Sequence, residues 1–554
     1  MRAAAATSGS RGGTKMVTTP IFYVNGPPHL GHAFTAVVAD AVTRWANVRA
    51  GEETTVLVSG TDEHGLKVHQ AAEVAGKAPL ALCDEVAAQF SSMVGEIGAE
   101  AADFVRTTEA RHIAEVHNVW RALDDAGLIY SGAYEGWYSV PDEAFVPLSS
   151  CVFSDGEELP RAADSGHVLE YVREPNYMLS LGALLPRVAA HLAATPDWVV
   201  PSNQAAALQR MLASGELPDL AISRPAQRVK WGIEVPGDPS QLIYVWLDAL
   251  TNYLTLARRP QADTGRQRAW PPAVQVIGKD ILKFHGVYWP AMLLALDEAL
   301  PDQLLVHSHW TVDSTKMSKS LGNVVTPSDL VGAAGSVDAA RYFLLTENNL
   351  VDDGNYSHTQ LAQRVAELAD TFANVLLRTT SKALNPGHEL APPGLPAATF
   401  AGAAPECAAL LRALDAVPTA AADAFDSHGF ARGISEIMDL LRAANKATQA
   451  LEPWVLVKSA NEQDRALASD LVTYVLASVE TAALLLQPVM PGATATILDY
   501  LGVPTSSRAV SDELLAAPVA AALDRTAMPR PLGDPSLSRK ANAQRLRLFT
   551  KLPR

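Results

Sequence analysis

The stretch from Val17 to Gly65 constrains the fold more than any other part of this chain. Val17 to Val24 (VTTPIFYV) is β-branched and aromatic, which predicts a buried strand interrupted at Pro20. Asn25-Gly26-Pro27-Pro28 is turn chemistry, and proline suits the first position of a helix. His29 to Val48 then reads as a helix whose apolar face carries Ala36, Val37, Ala39, Val42 and Trp45. Glu53 to Ser59 (ETTVLVS) predicts a second strand, running into Gly60-Thr61-Asp62-Glu63-His64-Gly65. Strand, glycine turn, helix and strand in that order open a nucleotide-binding α/β fold. Ligands of such folds sit at strand carboxyl ends and helix N-termini. His29 and His32 share a face of the first helical turn and can both reach a phosphate there, while Gly31 leaves room for an adenine.

A second signal lies far downstream, at Lys316-Met317-Ser318-Lys319-Ser320. Taken singly, a histidine pair at a helix start is a surface feature, a cap or half a metal site, and a KMSKS string is a solvated basic loop. Their order and wide separation say more. Together His29-Leu30-Gly31-His32 and KMSKS resemble the two signature sequences of class I aminoacyl-tRNA synthetases, which activate an amino acid with ATP. The opening segment Thr19-Pro20-Ile21-Phe22-Tyr23-Val24-Asn25-Gly26 narrows the resemblance to methionyl-tRNA synthetases, and it covers nearly the whole chain after Lys15.

The resemblance implies an α/β fold: a class I Rossmann-type catalytic domain, an inserted connective domain and an all-α helix-bundle anticodon-binding domain. The expected organisation is a disordered tail at 1–15 and the first half of the catalytic domain at 16–128. The connective insertion then takes 129–224, the second catalytic half 225–310, a KMSKS and stem-contact region 311–359, and the anticodon-binding bundle 360–554. Strands are expected at Tyr244–Trp246 and Val274–Ile277, with a Pro/Ala/Gly linker at Leu390–Pro405 interrupting the helices.

The same resemblance implies site residues. His29, His32, Lys316 and Lys319 would act on the ATP phosphates, with Gly31, Gly278, Asp280, Met317 and Ser318 completing the ATP site. Methionine would be held by Ile21, Tyr23, Asp62, Trp246, Ala249, Tyr253, Ile281, His285 and Trp289. That chemistry is coherent, because a thioether needs a soft aromatic pocket and an ammonium needs an anion such as Asp62. Asn374, Arg378 and Trp454 match anticodon readers; a spacing of four puts the first two on one helix face, and a tryptophan can stack on an unstacked base. The expected partners are L-methionine, ATP with Mg²⁺ and tRNA(Met), handled by a monomer with no membrane association.

Departures are equally informative. Relatives often carry cysteine zinc knuckles in the insertion, yet residues 138–175 hold only Cys151 and the distant His167, so no zinc is expected. Asn176-Tyr177-Met178-Leu179-Ser180 and His307-Ser308-His309-Trp310 also depart from the family pattern. They motivate a competing reading, a non-catalytic or inhibitor-tolerant paralogue that binds tRNA.

Composition sets the remaining bounds. A chain of 554 residues has ample core for several domains, and its three dispersed cysteines imply no disulfide framework. Mean hydropathy is +0.06, and the expected location is cytoplasmic. A net charge of −16 argues against a general nucleic-acid binder but leaves room for local basic patches. Arg539, Lys540, Arg545, Arg547, Lys551 and Arg554 form one such cluster; it reads equally as a tRNA phosphate contact or a solvated tail.

Overall fold

Seven strands build the sheet that positions the first half of the site: β1 (Lys15–Thr18), β2 (Phe22–Tyr23), β3 (Thr55–Asp62), β4 (Ala101–Arg106), β5 (Val199–Val200), β6 (Val274–Gly278) and β7 (Leu304–His307). Their order in space is β5-β7-β6-β1-β3-β2, with β4 also on β3. The β1–β6, β6–β7, β5–β7, β2–β3 and β3–β4 pairs all run parallel. From β1 the chain moves outward to β3 and β4 on one side, and to β6 and β7 on the other. The order therefore reverses between β1 and β6, the crevice where doubly wound sheets bind ligands.

The computed structural model describes residues 14–50, 54–140, 144–146, 148–154, 158–163, 165–215, 217–258, 270–317, 322–516, 523, 529–533 and 549. Two compact units emerge, the first from Met1–Pro28, Val56–Gly95 and Glu100–His307, the second from His29–Thr55, Glu96–Ala99 and Ser308–Arg554. Residues 1–13 of the expected N-terminal tail and the C-terminal basic cluster lie outside the described residues, and Lys15, expected to end that tail, opens β1 instead.

In the first unit, the Val245–Arg258 helix lays Leu256 and Ala257 on Met16, Val58 and Val105 of strands β1, β3 and β4. Sequence reasoning placed a strand at Tyr244–Trp246. The strand is instead Asp238–Ile243, antiparallel to Ser223–Pro225, and the helix begins at Val245. This helix is buried almost all round, so no polar face breaks its β-branched and aromatic start into a helical pattern. The insertion is a four-stranded sheet built on the Ile129–Ser139 and Glu170–Leu179 pair, in register from Ile129 opposite Leu179 to Tyr138 opposite Glu170. Where a metal knuckle would stand, Cys151–Val152 pairs with Arg161–Ala162 as a small ribbon closed by backbone hydrogen bonds. Among the described residues no three His, Cys, Asp or Glu side chains gather as a metal site.

The second unit combines the Leu30–Ala50 helix with a three-stranded sheet and a helix bundle. Bundle helices Pro405–Asp426, Phe430–Leu451 and Glu462–Leu485 pack against one another. Glu462–Leu485 is apolar enough in length and composition to cross a membrane, and it is largely buried within the bundle. The Pro/Ala/Gly linker expected at Leu390–Pro405 carries local structure of its own. Glu389–Leu390 pairs with Arg530–Pro531, Ala397–Ala403 is a short helix, and Asp470 accepts the Gly394 and Leu395 amides at 2.6 and 2.9 Å.

A single arginine ties the second unit together. Arg341 is fully buried and donates to Asp40 at 2.6 Å, Pro488 O at 2.8 Å, Val489 O at 3.1 Å, Ile97 O at 3.2 Å and Gly98 O at 3.3 Å. Those partners come from the Leu30–Ala50 helix, the 96–99 turn and the segment that follows the Glu462–Leu485 helix.

Candidate active site

The proposed amino-acid residues fall in the first unit and most of them converge. Trp246, Ala249 and Tyr253 lie on one face of the Val245–Arg258 helix, at positions i, i+3 and i+7. Opposite stands a π-helical turn, Phe284–Tyr288, followed by the helix Trp289–Ala295. Such turns recur at functional sites because they re-aim side chains. Here the turn delivers His285 to Tyr253, whose hydroxyl lies 2.8 Å from Nε2, and the ring of Trp289 packs 5.8 Å from that of Tyr253. Phe284, which sequence reasoning missed, stacks on Trp246 at 3.4 Å between centroids. The indole N–H groups of Trp246 and Trp289 are buried without a hydrogen-bond partner among the described residues, a rare condition in a protein interior.

The tautomer of His285 follows from its neighbours. Nδ1 lies 3.1 Å from the Ile281 carbonyl, which can only accept, so the ring proton sits on Nδ1. Nε2 is then a lone pair and Tyr253 O–H donates to it. Burial pushes the His285 pKa down to about 4 from its ordinary 6.5. The unfolded chain binds a proton between those values and the native site does not. The resulting stability is complete above 6.5 and is lost as pH falls toward 4. Unfolding titrations should show a loss of up to about 3 kcal/mol across that window. A His285→Asn variant should lack that component of the slope; an unchanged slope would contradict the assignment.

Asp62 ends β3, where it pairs with Tyr23 of β2, and its carbonyl accepts the Val24 amide. The next residue, Glu63, is fully buried and takes a two-pronged ion pair from Arg106, with N–O distances of 2.7 and 3.0 Å. Thr61 and Thr108 hydroxyls complete its shell at 2.7 and 2.6 Å. Beyond it, His64 Nδ1 donates to Asp248 at 2.7 Å, and Asp248 also takes a bond from His112 Nε2 at 2.7 Å. Burial opposes the Asp248 charge, yet the two histidines hold its pKa down at about 2. His64, Tyr138, Arg224, Trp231 and Tyr244 line a small open cleft. The Arg224 guanidinium lies 4.4 Å from the Tyr138 ring and is ion-paired with Glu174. None of Glu63, His64, His112, Arg224 or Asp248 was singled out from sequence. A carboxylate at Asp248, alone in the run VWLDALTNYLTLA, was the available signal.

Gly278 and Asp280 stand at the carboxyl end of β6, the switch-point strand. Gly278 is buried and Asp280 exposed, and a Cβ on Gly278 would lie 2.6 Å from the Asp280 carboxylate. Glycine is thus what lets that carboxylate fold over the strand end.

The histidine pair and the KMSKS lysines belong to the second unit. The helix begins at Leu30, whose amide donates to Val325 O at 2.9 Å. His29 and His32 stack at 3.8 Å between ring centroids. His29 N donates to His32 Nδ1 at 3.2 Å, and Gly31 N donates to His29 Nδ1 at 3.1 Å. Both Nδ1 atoms are therefore lone pairs, and both rings carry their proton on Nε2. A side chain at position 31 would crowd the His29 ring at 3.1 Å. Lys316 is exposed at the end of a hairpin in which Thr315–Lys316 pairs with Trp310–Val312. Its turn residues Asp313 and Ser314 have φ of 47° and 61°, the signature of the tight turn that matches strand twist. Met317 follows; Ser318 and Lys319 lie outside the described residues. The departure at His307-Ser308-His309-Trp310 has local support, with Ser308 Oγ 2.6 Å from Asp352 O.

In the bundle, Asn374 and Arg378 share a helix, Asn374 exposed and Arg378 half-buried. Trp454, on the short Pro453–Leu456 helix, is half-buried, and the Arg378 guanidinium sits 5.5 Å over its ring. Sequence spacing could place the first two on one face but not bring a third residue from a later helix beside them.

A reversed parallel sheet, a histidine-headed helix and a lysine hairpin are the parts of a class I synthetase. A family model described as tRNA synthetases class I (M) matches residues 15–380. The human mitochondrial methionine–tRNA ligase is 39% identical over 509 residues, which cover 89% of this chain and 85% of the human one. The Dictyostelium discoideum probable mitochondrial methionine–tRNA ligase is 38% identical over 506 residues, 89% of this chain and 87% of that protein. The crystal structure of Mycobacterium tuberculosis methionyl-tRNA synthetase bound by methionyl-adenylate superposes with a TM-score of 0.84 at 35% identity, covering 95% of this chain and 99% of that one. The chain belongs to the methionyl-tRNA synthetase family of class I tRNA synthetases. The cytoplasmic location expected from composition is overturned, since the curated relatives just named are mitochondrial enzymes. Dispersed cysteines and near-zero hydropathy suit any reducing compartment, so they never distinguished the two.

Proposed function

We propose that this chain is an ATP-dependent methionine–tRNA ligase whose methionine site is the aromatic wall of the first unit. The observation that carries the reading is the convergence of Tyr253, His285 and Trp289, with Trp246 on the same helix face and stacked on the neighbouring Phe284, in a member of this family. The methionine carboxylate attacks the α-phosphorus of ATP, and pyrophosphate leaves. A terminal ribose hydroxyl of tRNA then attacks the acyl carbon, and AMP leaves. Asp62 holds the ammonium, and the aromatic wall with Ile21, Tyr23, Ala249 and Ile281 holds the thioether. His285, kept neutral by burial, adds no charge to that wall. The Nε2–H donors of His29 and His32 and the ammonium groups of Lys316 and Lys319 stabilise charge on phosphate, so catalysis is positioning plus electrostatics. Gly278 and Asp280 take the ribose. Methionine-dependent ATP–pyrophosphate exchange, run against a panel of amino acids, tests the reading. Absence of exchange with normal tRNA binding would favour the non-catalytic paralogue instead.

Asn374, Arg378 and Trp454 form the anticodon contact in this reading. Trp454→Ala should cost aminoacylation about 1–3 kcal/mol, or about 5- to 150-fold, from the loss of one base stack. Exchange without tRNA should be preserved. Equal loss of both activities with a large fall in melting temperature would make Trp454 a packing residue.

We also propose that the enzyme needs no structural zinc. The Cys151–Val152 ribbon is closed by backbone hydrogen bonds and offers one thiol where about four ligands would be required. Elemental analysis of purified protein should find zinc far below one equivalent, and one equivalent would overturn the proposal.

A further inference from the structure

Asp248 is fully buried, and each of its oxygens has one imidazole donor at 2.7 Å, His112 on Oδ1 and His64 on Oδ2. A buried carboxylate without such donors would be strongly unfavourable, so the three side chains stand or fall as a set. They come from three places in the chain. His64 belongs to the irregular segment after Asp62, His112 to the Ala110–Asp125 helix, and Asp248 to the Val245–Arg258 helix. That last helix has two faces in use. One carries Trp246, Ala249 and Tyr253, and the other carries Asp248 and Thr255, whose hydroxyl lies 3.0 Å from His112 Nδ1. The segment after Asp62 has no ladder of its own beyond β3. Glu63 pins it toward β4 through Arg106, and His64 pins it toward the aromatic helix through Asp248.

We propose that Asp248 is a positioning residue for amino-acid activation: it locks the Asp62–Gly65 segment to the aromatic helix, fixing the distance between the ammonium-binding carboxylate and the thioether wall. This rests on the methionine-site reading given above. His112 is the cleanest handle, because it is fully buried and its ring nitrogens are taken up by Asp248 and Thr255. Its influence on methionine binding would travel through Asp248.

The test measures methionine-dependent ATP–pyrophosphate exchange on the full-length enzyme, with KM for methionine and for ATP determined separately. His112→Leu should raise the methionine KM by about 10- to 100-fold, the scale of a misplacement near one ångström, and leave the ATP KM within about threefold. His112→Gln can still donate an N–H to Asp248 and should restore most of the loss. Asp248→Asn keeps the side-chain shape while removing the charge and one acceptor, and should reproduce the His112→Leu pattern. It also serves if His112→Leu does not fold. A lower melting temperature with the methionine KM unchanged, or equal increases in both KM values, would overturn the proposal. Lack of exchange by the unaltered enzyme would instead refute the functional reading itself.

Discussion

Replacing His32 by alanine should lower methionine-dependent exchange by about 10²- to 10³-fold, the cost of losing one oriented donor to developing charge. Its Nδ1 accepts the His29 amide, so the ring proton sits on Nε2, the atom that would donate to a phosphate. His29 is constrained in the same way by the Gly31 amide, and the two rings stack on one another. The fall should appear in kcat more than in the methionine KM, because the charge develops only as the α-phosphorus is attacked. His32→Asn retains an acceptor and a donor on a shorter side chain and should recover part of the rate. Both rings are half-buried and carry little of the core, so the melting temperature should hardly move. Exchange within about twofold of the unaltered enzyme would remove His32 from the phosphate site.

The second large effect is on stability. Arg341→Met should destabilise the second unit by about 3–5 kcal/mol, the usual cost of removing one partner from a buried ion pair. The methionine fills much of the arginine stem's volume, so the loss comes from electrostatics and unmet hydrogen bonds rather than from a cavity. Asp40 would keep Arg44, bonded at 2.7 Å, but the carbonyls of Ile97, Pro488 and Val489 would each lose a donor. Urea titration followed by far-ultraviolet circular dichroism should show the helical transition at lower denaturant. Combining it with Asp40→Asn should cost less than the sum of the two, since they share one interaction. A change under about 1 kcal/mol would mean that the arginine is dispensable.

Local signals carried far in this chain. Turn chemistry at Asn25-Gly26-Pro27-Pro28, an apolar helical stripe after His29 and β-branched runs marked most elements of the nucleotide fold within a few residues. They failed at Val245, where burial on all sides leaves no periodicity to read. The aromatic wall was accessible only through family resemblance, because a tryptophan in an apolar run reads equally well as core. What stayed hidden were long-range pairings. Phe284 on Trp246, Arg106 on Glu63 and the two histidines on Asp248 bring together residues 38, 43, 184 and 136 positions apart. No propensity or spacing rule spans such gaps. Arg341 was equally silent, one basic residue among many until its five acceptors were seen.

The wound-out turn at Phe284–Tyr288 makes the pocket depend on chain length as well as on residue identity. Successive residues of a regular helix are separated by about 100°. A π-helical turn accommodates one more residue than an α-helix would, so the helix after it keeps its phase while the residues inside the turn are re-aimed. Loss of a single codon between positions 286 and 288 would let the segment relax into an ordinary helix, leaving Trp289 facing Tyr253 but removing the widened turn that presents His285. Every named pocket side chain would still be encoded, yet the histidine would lose the backbone that aims it.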